Sequence, residues 1–306
     1  MKVLVTGGSG FIGSHVIDRL LAHGHEPRLF DLVPFPYSEV DTVIGDLLSP
    51  ADVRRGLAGC DAVIHLAAVA DVNHVKADPV RAEEMNSRGT AVLLEAARAE
   101  ETPRVVYGST IWVYGDGLPG ETLDEDAALP VPGHLYTATK LAGEAYTRSY
   151  GELYGVGNTI LRFGIPYGPR ARGATVLAAF VAKARAGEPL TIAGDGSQSR
   201  RFVYVEDLAD GVVAGLAPEA EGRVYNLVGT ESTTIREIAE LVQEIVAPVE
   251  IVYTEGRAGD IHGAAISGER AATELGWRPQ TQFAEGARRY VDWVTATQGA
   301  PVPATV

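Results

Sequence analysis

The eight residues Thr6–Gly13, TGGSGFIG, constrain this chain more than any other stretch. They follow an apolar run, KVLV, and open a helical pattern that stops at His23-Gly24. Glycines at 7, 8, 10 and 13 permit a tight turn, close backbone approach to a diphosphate, and close packing of helix on strand. Free N–H groups at the start of such a helix face the anion. The spacing therefore predicts a strand, a phosphate-cradling turn and a helix, the opening unit of a dinucleotide-binding sheet.

The same alternation continues. Short β-rich runs at 2–6, 27–32, 42–46, 61–66, 104–109 and 158–163 are separated by helical patterns near 11–23, 50–58, 78–100 and 135–154. Strands alternating with helices predict an α/β fold, a doubly wound Rossmann-type parallel sheet covered on both faces. After Gly164 the pattern loosens into a turn-rich loop over 165–173 and the helical VLAAFVAKARAG. Two short strands around a Gly/Asp/Ser loop, a helix from Glu206, and the strand RVYNLVG follow. TTIREIAELVQEIV has a Thr cap and helical spacing, a last helix is expected over 283–296, and APVPATV reads as a frayed tail. The expected division is a dinucleotide-binding domain over 1–164 and a smaller substrate domain over 165–306, partly interleaved with the first.

Asp31 ends the second strand 18 residues beyond Gly13, near the spacing at which an acidic residue holds the adenosine ribose hydroxyls. It would repel a 2′-phosphate, and no basic residue lies in DLVPFPYSEVD, so NAD is favoured over NADP. Asp46, in IGDLLS, either reaches the adenine or serves a turn or helix cap. Further on, Tyr136 and Lys140 stand four residues apart in HLYTATKLAGEAY, downstream of the pair Ser109-Thr110. On a helix that spacing puts a phenol and an ammonium on one face. A free phenol, with pKa about 10, is a poor base at neutral pH. One cation at about 4.5 Å in an effective dielectric of about 20 supplies roughly 4 kcal/mol to the phenolate, enough to make it a base. In the company of the glycine motif, this pair points to hydride-transfer chemistry.

Composition removes other classes. The 306 residues carry a net charge of −14 without a Lys/Arg-rich run, which argues against nucleic-acid binding. No stretch approaches the roughly 18 uninterrupted apolar residues of a membrane span. The sequence opens directly on a strand, leaving no room for a signal peptide, so a cytoplasmic protein is expected. Cys60 is the only cysteine, in GCDAVIHLAA, and reads as an inert core thiol rather than a nucleophile.

TGGSGFIG, GDL (45–47), HLAA (65–68), NSRGT (86–90), STIWVYG (109–115) and YTATK (136–140) occur in this order. LRFGIPYGP, GDGSQSRRFVYVEDLADG, VYNLVG and ELGWRP follow. Together they resemble the extended short-chain dehydrogenase/reductase family, and within it the nucleotide-sugar epimerases and dehydratases. The resemblance implies that Gly7, Gly10 and Gly13, with Phe11 and Ile12 between them, cradle the NAD pyrophosphate, and that Asp31 holds the ribose. It puts Asp46 with Leu47 against adenine and Ala67 with Ala68 along the cofactor cleft. Tyr136 and Lys140 flank the nicotinamide ribose, and Thr110 bonds the reacting sugar oxygen. Arg200 and Arg257 match positions that hold the nucleotide diphosphate, and Arg172 matches the place of an arginine for a 6-carboxylate; solvated surface roles are the alternative for all three.

The expected activity is an NAD-dependent nucleotide-sugar 4-epimerase, acting on UDP-glucose and UDP-galactose through a transient 4-keto sugar, in a homodimer. UDP-glucuronate 4-epimerase, a keto-sugar reductase and a non-catalytic NAD sensor are the alternatives. Two departures narrow the field. Dehydratases of the family carry Asp-Glu after the active-site Thr, and its decarboxylases carry Glu at the second of these positions; here Ile111 and Trp112 stand there and cannot transfer protons. Ile165 replaces a frequent Asn and Arg201 a frequent Asp in the segments toward the substrate.

Overall fold

The computed structural model describes residues 1–35, 39–115, 117–118, 120–171, 173, 175–256 and 265–297. Arg172 and Arg257 lie outside the described residues, as does the tail over 300–306. Seven strands form the main sheet: β1 (Lys2–Thr6), β2 (Glu26–Asp31), β3 (Asp41–Ile44), β4 (Ala62–His65), β5 (Arg104–Thr110), β6 (Gly157–Phe163) and β7 (Arg223–Leu227). Their spatial order is β7-β6-β5-β4-β1-β2-β3, and every neighbouring pair is parallel. The order reverses between β1 and β4, where an open α/β sheet forms a crevice at its carboxyl edge.

The principal helices are α1 (Phe11–Ala22), α2 (Pro50–Leu57), α3 (Gly89–Ala99), α4 (Leu135–Tyr154), α5 (Val176–Ala186), α6 (Val205–Ala214), α7 (Ile235–Ile245) and α8 (Phe283–Ala296). Side chains alternate across a strand, so β1 feeds two cores. Val3 and Val5 pack in one layer with Val16, Ile17 and Leu20 of α1 and Leu208 and Val212 of α6. Leu4 joins Val53 and Leu57 of α2 and Leu93 and Leu94 of α3 in the other. Burial on both faces explains why these strands read as continuous apolar runs. A separate core gathers Leu177, Phe180 and Val181 of α5 with Ile238 and Val242 of α7 and Phe283 and Tyr290 of α8. Arg104 at the start of β5 is buried and donates to the Thr159 hydroxyl and to the Gly215 and Ala217 carbonyls at the end of α6.

Two-stranded ladders complete the second half: Ile165–Tyr167 with Phe202–Tyr204, Leu190–Ala193 with Ile251–Thr254, Ser199–Arg200 with Thr233–Thr234, and Thr122–Leu123 with Ala265–Ile266. The Thr cap expected on the TTIREIAELVQEIV helix is a full capping box: Thr234 Oγ1 accepts from Glu237 N–H at 3.1 Å, and the Glu237 carboxylate accepts from Thr234 N–H at 2.7 Å. The single helix expected over 78–100 is broken. Short helices Val72–Ala77 and Pro79–Glu83 precede a π-turn, Glu84–Arg88, before α3. The wide turn aims Asn86 inward, a usual role for such bulges. Its side chain accepts from Val69 N–H at 2.7 Å and donates to the Val69 carbonyl and to Thr139 Oγ1 at 3.0 Å. The loop after β4 is thereby fastened to α4.

Candidate active site

A cleft of about 1020 Å³ opens along the carboxyl edge of β1, β2, β4, β5 and β6. A small-molecule site spans roughly 300–1,000 Å³, so this cleft lies at the top of that range. At its floor the turn after β1 has no room for side chains. Gly7 has φ +72°, and a Cβ there would lie 2.8 Å from the Ala67 nitrogen; at Gly13 it would lie 2.1 Å from the Gly7 carbonyl oxygen. α1 begins at Gly10 without a side-chain cap and without an acid in its first turn. Its leading N–H groups are therefore directed at whatever anion fills the turn. Asp31 stands at the end of β2 and accepts from Ser9 N–H at 3.0 Å and Leu32 N–H at 2.7 Å. Burial pushes its carboxyl above the usual range, and these N–H groups pull it back. A carboxylate has about four acceptor sites, so ribose hydroxyls can still bond to it. A glycine cradle, an uncapped helix start and a carboxylate at the second strand together fit NAD.

Gly7, Gly10, Phe11, Ile12, Gly13 and Asp31 all border the cleft, with Leu47, Ala67 and Ala68 beyond them. Thr110, Tyr136, Lys140 and Arg200 border its other end. Asp46 differs. β3 ends two residues earlier, at Ile44, and the Asp46 carboxylate accepts from Leu48 N–H at 2.9 Å, the turn role, while Gly45 and Leu47 line the cleft on either side. His15 of α1 bonds the Pro169 carbonyl at 2.9 Å through Nε2, and burial lowers its pKa to about 4, so the ring is neutral. Asp18, one turn on, pairs with Arg170 at 2.6 Å. The cradle helix thus holds the segment that leads into the second half.

The proton-transfer end is set by how closely α4 approaches β5. Gly143 faces Tyr107, and a Cβ there would lie 2.1 Å from the phenol oxygen. Lys140, one turn earlier, is 5% exposed and donates to the Gly108 carbonyl at 2.9 Å, with its ammonium 5.1 Å from the Tyr107 ring. Burial lowers its pKa to about 8, and Glu144 opposes that shift. The two hydroxyls of the Ser109-Thr110 pair separate. Ser109 donates to Glu144 Oε1 at 2.6 Å, while Thr110, buried at the strand end, accepts from Trp112 N–H at 3.2 Å. A bond accepted there does not use the Thr110 hydroxyl proton.

Behind these groups lies a buried network that sequence reasoning passed over. Glu144 is bridged by Arg162 of β6 at 2.8 and 3.0 Å; Arg162 also donates to the Tyr114 hydroxyl at 2.8 Å, which donates to Asn226 of β7 at 2.8 Å. Burial works against the guanidinium charge, but the bonds to Glu144 and Tyr114 outweigh it and raise the Arg162 pKa. One ion pair thus joins the helix carrying Tyr136 and Lys140 to the strands around Thr110. A signal was present: Glu144 lies one turn beyond Lys140, and Arg162 interrupts an apolar strand. His65 at the end of β4 is similarly fixed between Thr6 and Thr90, and burial lowers its pKa to about 3. Trp112, which the sequence marks only for what it replaces, borders the cleft with His134, Phe163, Thr175 and Arg81, none of which was anticipated. Among the described residues no group of three or more His, Cys, Asp or Glu could hold a metal ion, and no helix is long and apolar enough to cross a membrane.

Comparison with known proteins agrees with this geometry. The sequence matches the NAD dependent epimerase/dehydratase family over residues 3–228. It is 34% identical to the UDP-glucose 4-epimerase of Mycolicibacterium smegmatis, across 96% of this chain and 98% of that protein. The structure of Thermus thermophilus UDP-glucose 4-epimerase in complex with NAD superposes with a TM-score of 0.87 at 34% identity, covering 98% of this chain and all of that one. UDP-glucuronic acid 4-epimerase from Bacillus cereus, solved with UDP-glucuronic acid and NAD, gives 0.88 at 29% identity, covering 97% and 99%. Breadth of coverage and the agreement of cradle, Asp31 and the Tyr136–Lys140 pair lead to one conclusion: the chain belongs to the NAD dependent epimerase/dehydratase family.

Proposed function

We propose that the protein is an NAD-dependent nucleotide-sugar 4-epimerase that interconverts UDP-glucose and UDP-galactose. The observation that carries this reading is the meeting of Thr110, Tyr136 and Lys140 at one end of the cleft, with Ile111 and Trp112 where a dehydratase needs an acid and a base. NAD, when bound, would be held by Gly7, Gly10, Gly13 and Asp31 and would supply the hydride acceptor and donor for the sugar C4. Tyr136, as phenolate, accepts the proton of the 4-hydroxyl and later gives it back to the same oxygen. Thr110 donates its hydroxyl to that oxygen and fixes its place. Lys140, held on the Gly108 carbonyl, supplies the positive charge that favours the phenolate. Return of hydrogen to the opposite face of the 4-keto sugar inverts the centre.

In this reading residues 1–164 hold the cofactor and 165–306 mainly the nucleotide sugar. Arg200 on the cleft wall, together with Arg172 and Arg257, neutralises the diphosphate or a sugar carboxylate. The working form is a cytoplasmic homodimer, where NAD and nucleotide sugars are made. Exposed Tyr146, Leu153 and Tyr154 on α4, at 40, 71 and 54%, support a helical interface. Incubation with UDP-glucose, UDP-galactose, UDP-glucuronate and dTDP-glucose, followed by product NMR, tests the activity. Inversion at C4 without accumulation of NADH is expected. Net NADH formation would mark a dehydrogenase, a 4-keto-6-deoxy product a dehydratase, and preference for UDP-glucuronate would replace the substrate.

A further inference from the structure

Trp112 keeps 36% of its surface exposed, although it sits in a fixed place. It belongs to the single turn Ile111–Tyr114; its N–H donates to Thr110 Oγ1 at 3.2 Å and its carbonyl accepts from Gly115 N–H at 3.1 Å. The indole meets the imidazole of His134 edge-on, with centroids 6.1 Å apart and planes at 61°. His134 in turn lies nearly parallel to the Tyr136 ring, at 6.4 Å and 15°, and is anchored as the cap of α4 by Thr137 N–H at 3.4 Å. Three rings from two elements therefore run outward from the proton-transferring phenol along the cleft wall. Trp is heavily buried on average, and this indole leaves about a third of its surface open on the cleft wall, where a ligand can reach it.

Resting on the 4-epimerase reading, we propose that Trp112 and His134 form the sugar subsite. They make an aromatic wall that packs against the C–H face of a neutral hexopyranose whose O4 is held by Thr110 and Tyr136. A pyranose carries its hydroxyls at the rim and C–H bonds on its faces. Aromatic faces bear the negative part of the ring quadrupole, which attracts C–H hydrogens and repels a carboxylate. The wall thus contributes affinity for a neutral sugar and selects against a sugar acid presented to it. Trp112 and His134 are specificity residues here, with no part in proton transfer.

Calorimetric titration of the full-length, NAD-loaded protein with UDP, UDP-glucose and UDP-glucuronate tests the wall without needing turnover. Wild type is expected to bind UDP-glucose about tenfold more tightly than UDP. Trp112→Leu, which keeps an apolar side chain without a ring, is expected to remove most of that ratio while leaving the affinity for UDP within about twofold. Trp112→Phe is expected to retain most of it, and His134→Ala to lose part. In turnover the Leu variant's loss falls on KM rather than kcat. Unchanged affinity for UDP also shows that each variant is folded. An unchanged UDP-glucose to UDP ratio in Trp112→Leu, or equal binding of UDP and UDP-glucose by wild type, overturns the wall. Binding that depends on Trp112 without any C4 inversion by wild type leaves the wall standing and sinks the epimerase reading alone.

Discussion

Replacing Lys140 by Met should slow turnover and stabilise the cofactor-free protein. The ammonium is 5% exposed, and its pKa falls from the ordinary 10.5 to about 8, chiefly because burial disfavours the charge. At about 1.4 kcal/mol per pH unit, holding this proton at neutral pH costs the fold about 3 kcal/mol. Met has a similar unbranched length and no charge. Against the relief stand the lost hydrogen bond to the Gly108 carbonyl, worth about 1 kcal/mol, and the cation's contact with the Tyr107 ring, worth somewhat less. The variant should therefore gain about 1–2 kcal/mol at pH 7. The sign of the pH dependence is fixed by linkage. Between about pH 8 and 10.5 the unfolded chain still carries a proton on Lys140 that the folded protein has released, so wild type gains stability as pH rises through that window. At pH 9 the variant's advantage should shrink by about 1 kcal/mol, other groups titrating alike in both proteins. Urea denaturation of NAD-free wild type and Lys140→Met at pH 7 and pH 9 reads both numbers. Removing the roughly 4 kcal/mol of phenolate stabilisation should cost about 10³-fold in kcat. A variant less stable than wild type at pH 7, or a difference unchanged at pH 9, refutes the reasoning.

Tyr136→Phe should keep the fold and NAD affinity and lose about 10²–10⁴-fold in turnover; activity within tenfold of wild type removes Tyr136 from the mechanism. Cofactor-free protein should bind NAD much more tightly than NADP, and Asp31→Ala should narrow the gap by removing the carboxylate that repels a 2′-phosphate; equal affinities in wild type defeat the assignment. Glu144→Gln leaves the Arg162 charge buried without its counter-ion and should cost about 3–5 kcal/mol in chemical denaturation, whereas a loss below about 1 kcal/mol would mean the pair is not structural.

The inner strands β1, β4, β5 and β6 were legible because each is buried on both faces and reads as a largely apolar run, and the cradle was legible because glycine at 7 and 13 answers a steric demand. The ends of α4 and α8 followed from helical spacing. What escaped depends on distant partners. Thr122–Leu123 becomes a strand only because Ala265–Ile266 lies beside it, and two residues carry no periodicity of their own. The π-turn at Glu84–Arg88 is decided by where Asn86 finds Val69 and Thr139. At the site, Tyr136 and Lys140 were marked by their chemistry and spacing, and Thr110 by the family resemblance. His134 was not, since a histidine before a helix suggests nothing until Trp112 is seen against it. Asp46 offered two roles that sequence alone left equal, and the Leu48 N–H supplies the turn.

The last strand of the main sheet has a consequence for synthesis. β7 pairs with Thr159–Phe163 of β6, yet 59 residues separate Phe163 from Arg223. A nascent chain that has just completed β6 presents a bare parallel edge, and Arg104 has no Gly215 or Ala217 carbonyl to meet. At about 5–20 residues per second that edge stays open for roughly 3–12 s, long enough for strand-to-strand association between polysomal neighbours. In ribosome-bound chains arrested near residue 200 the β6 edge should therefore be open to chaperones and protease, and in chains with Leu227 clear of the exit tunnel that edge should be protected. The sheet that holds the cofactor is a late product of translation, closed by residues that lie deep in the second half of the chain.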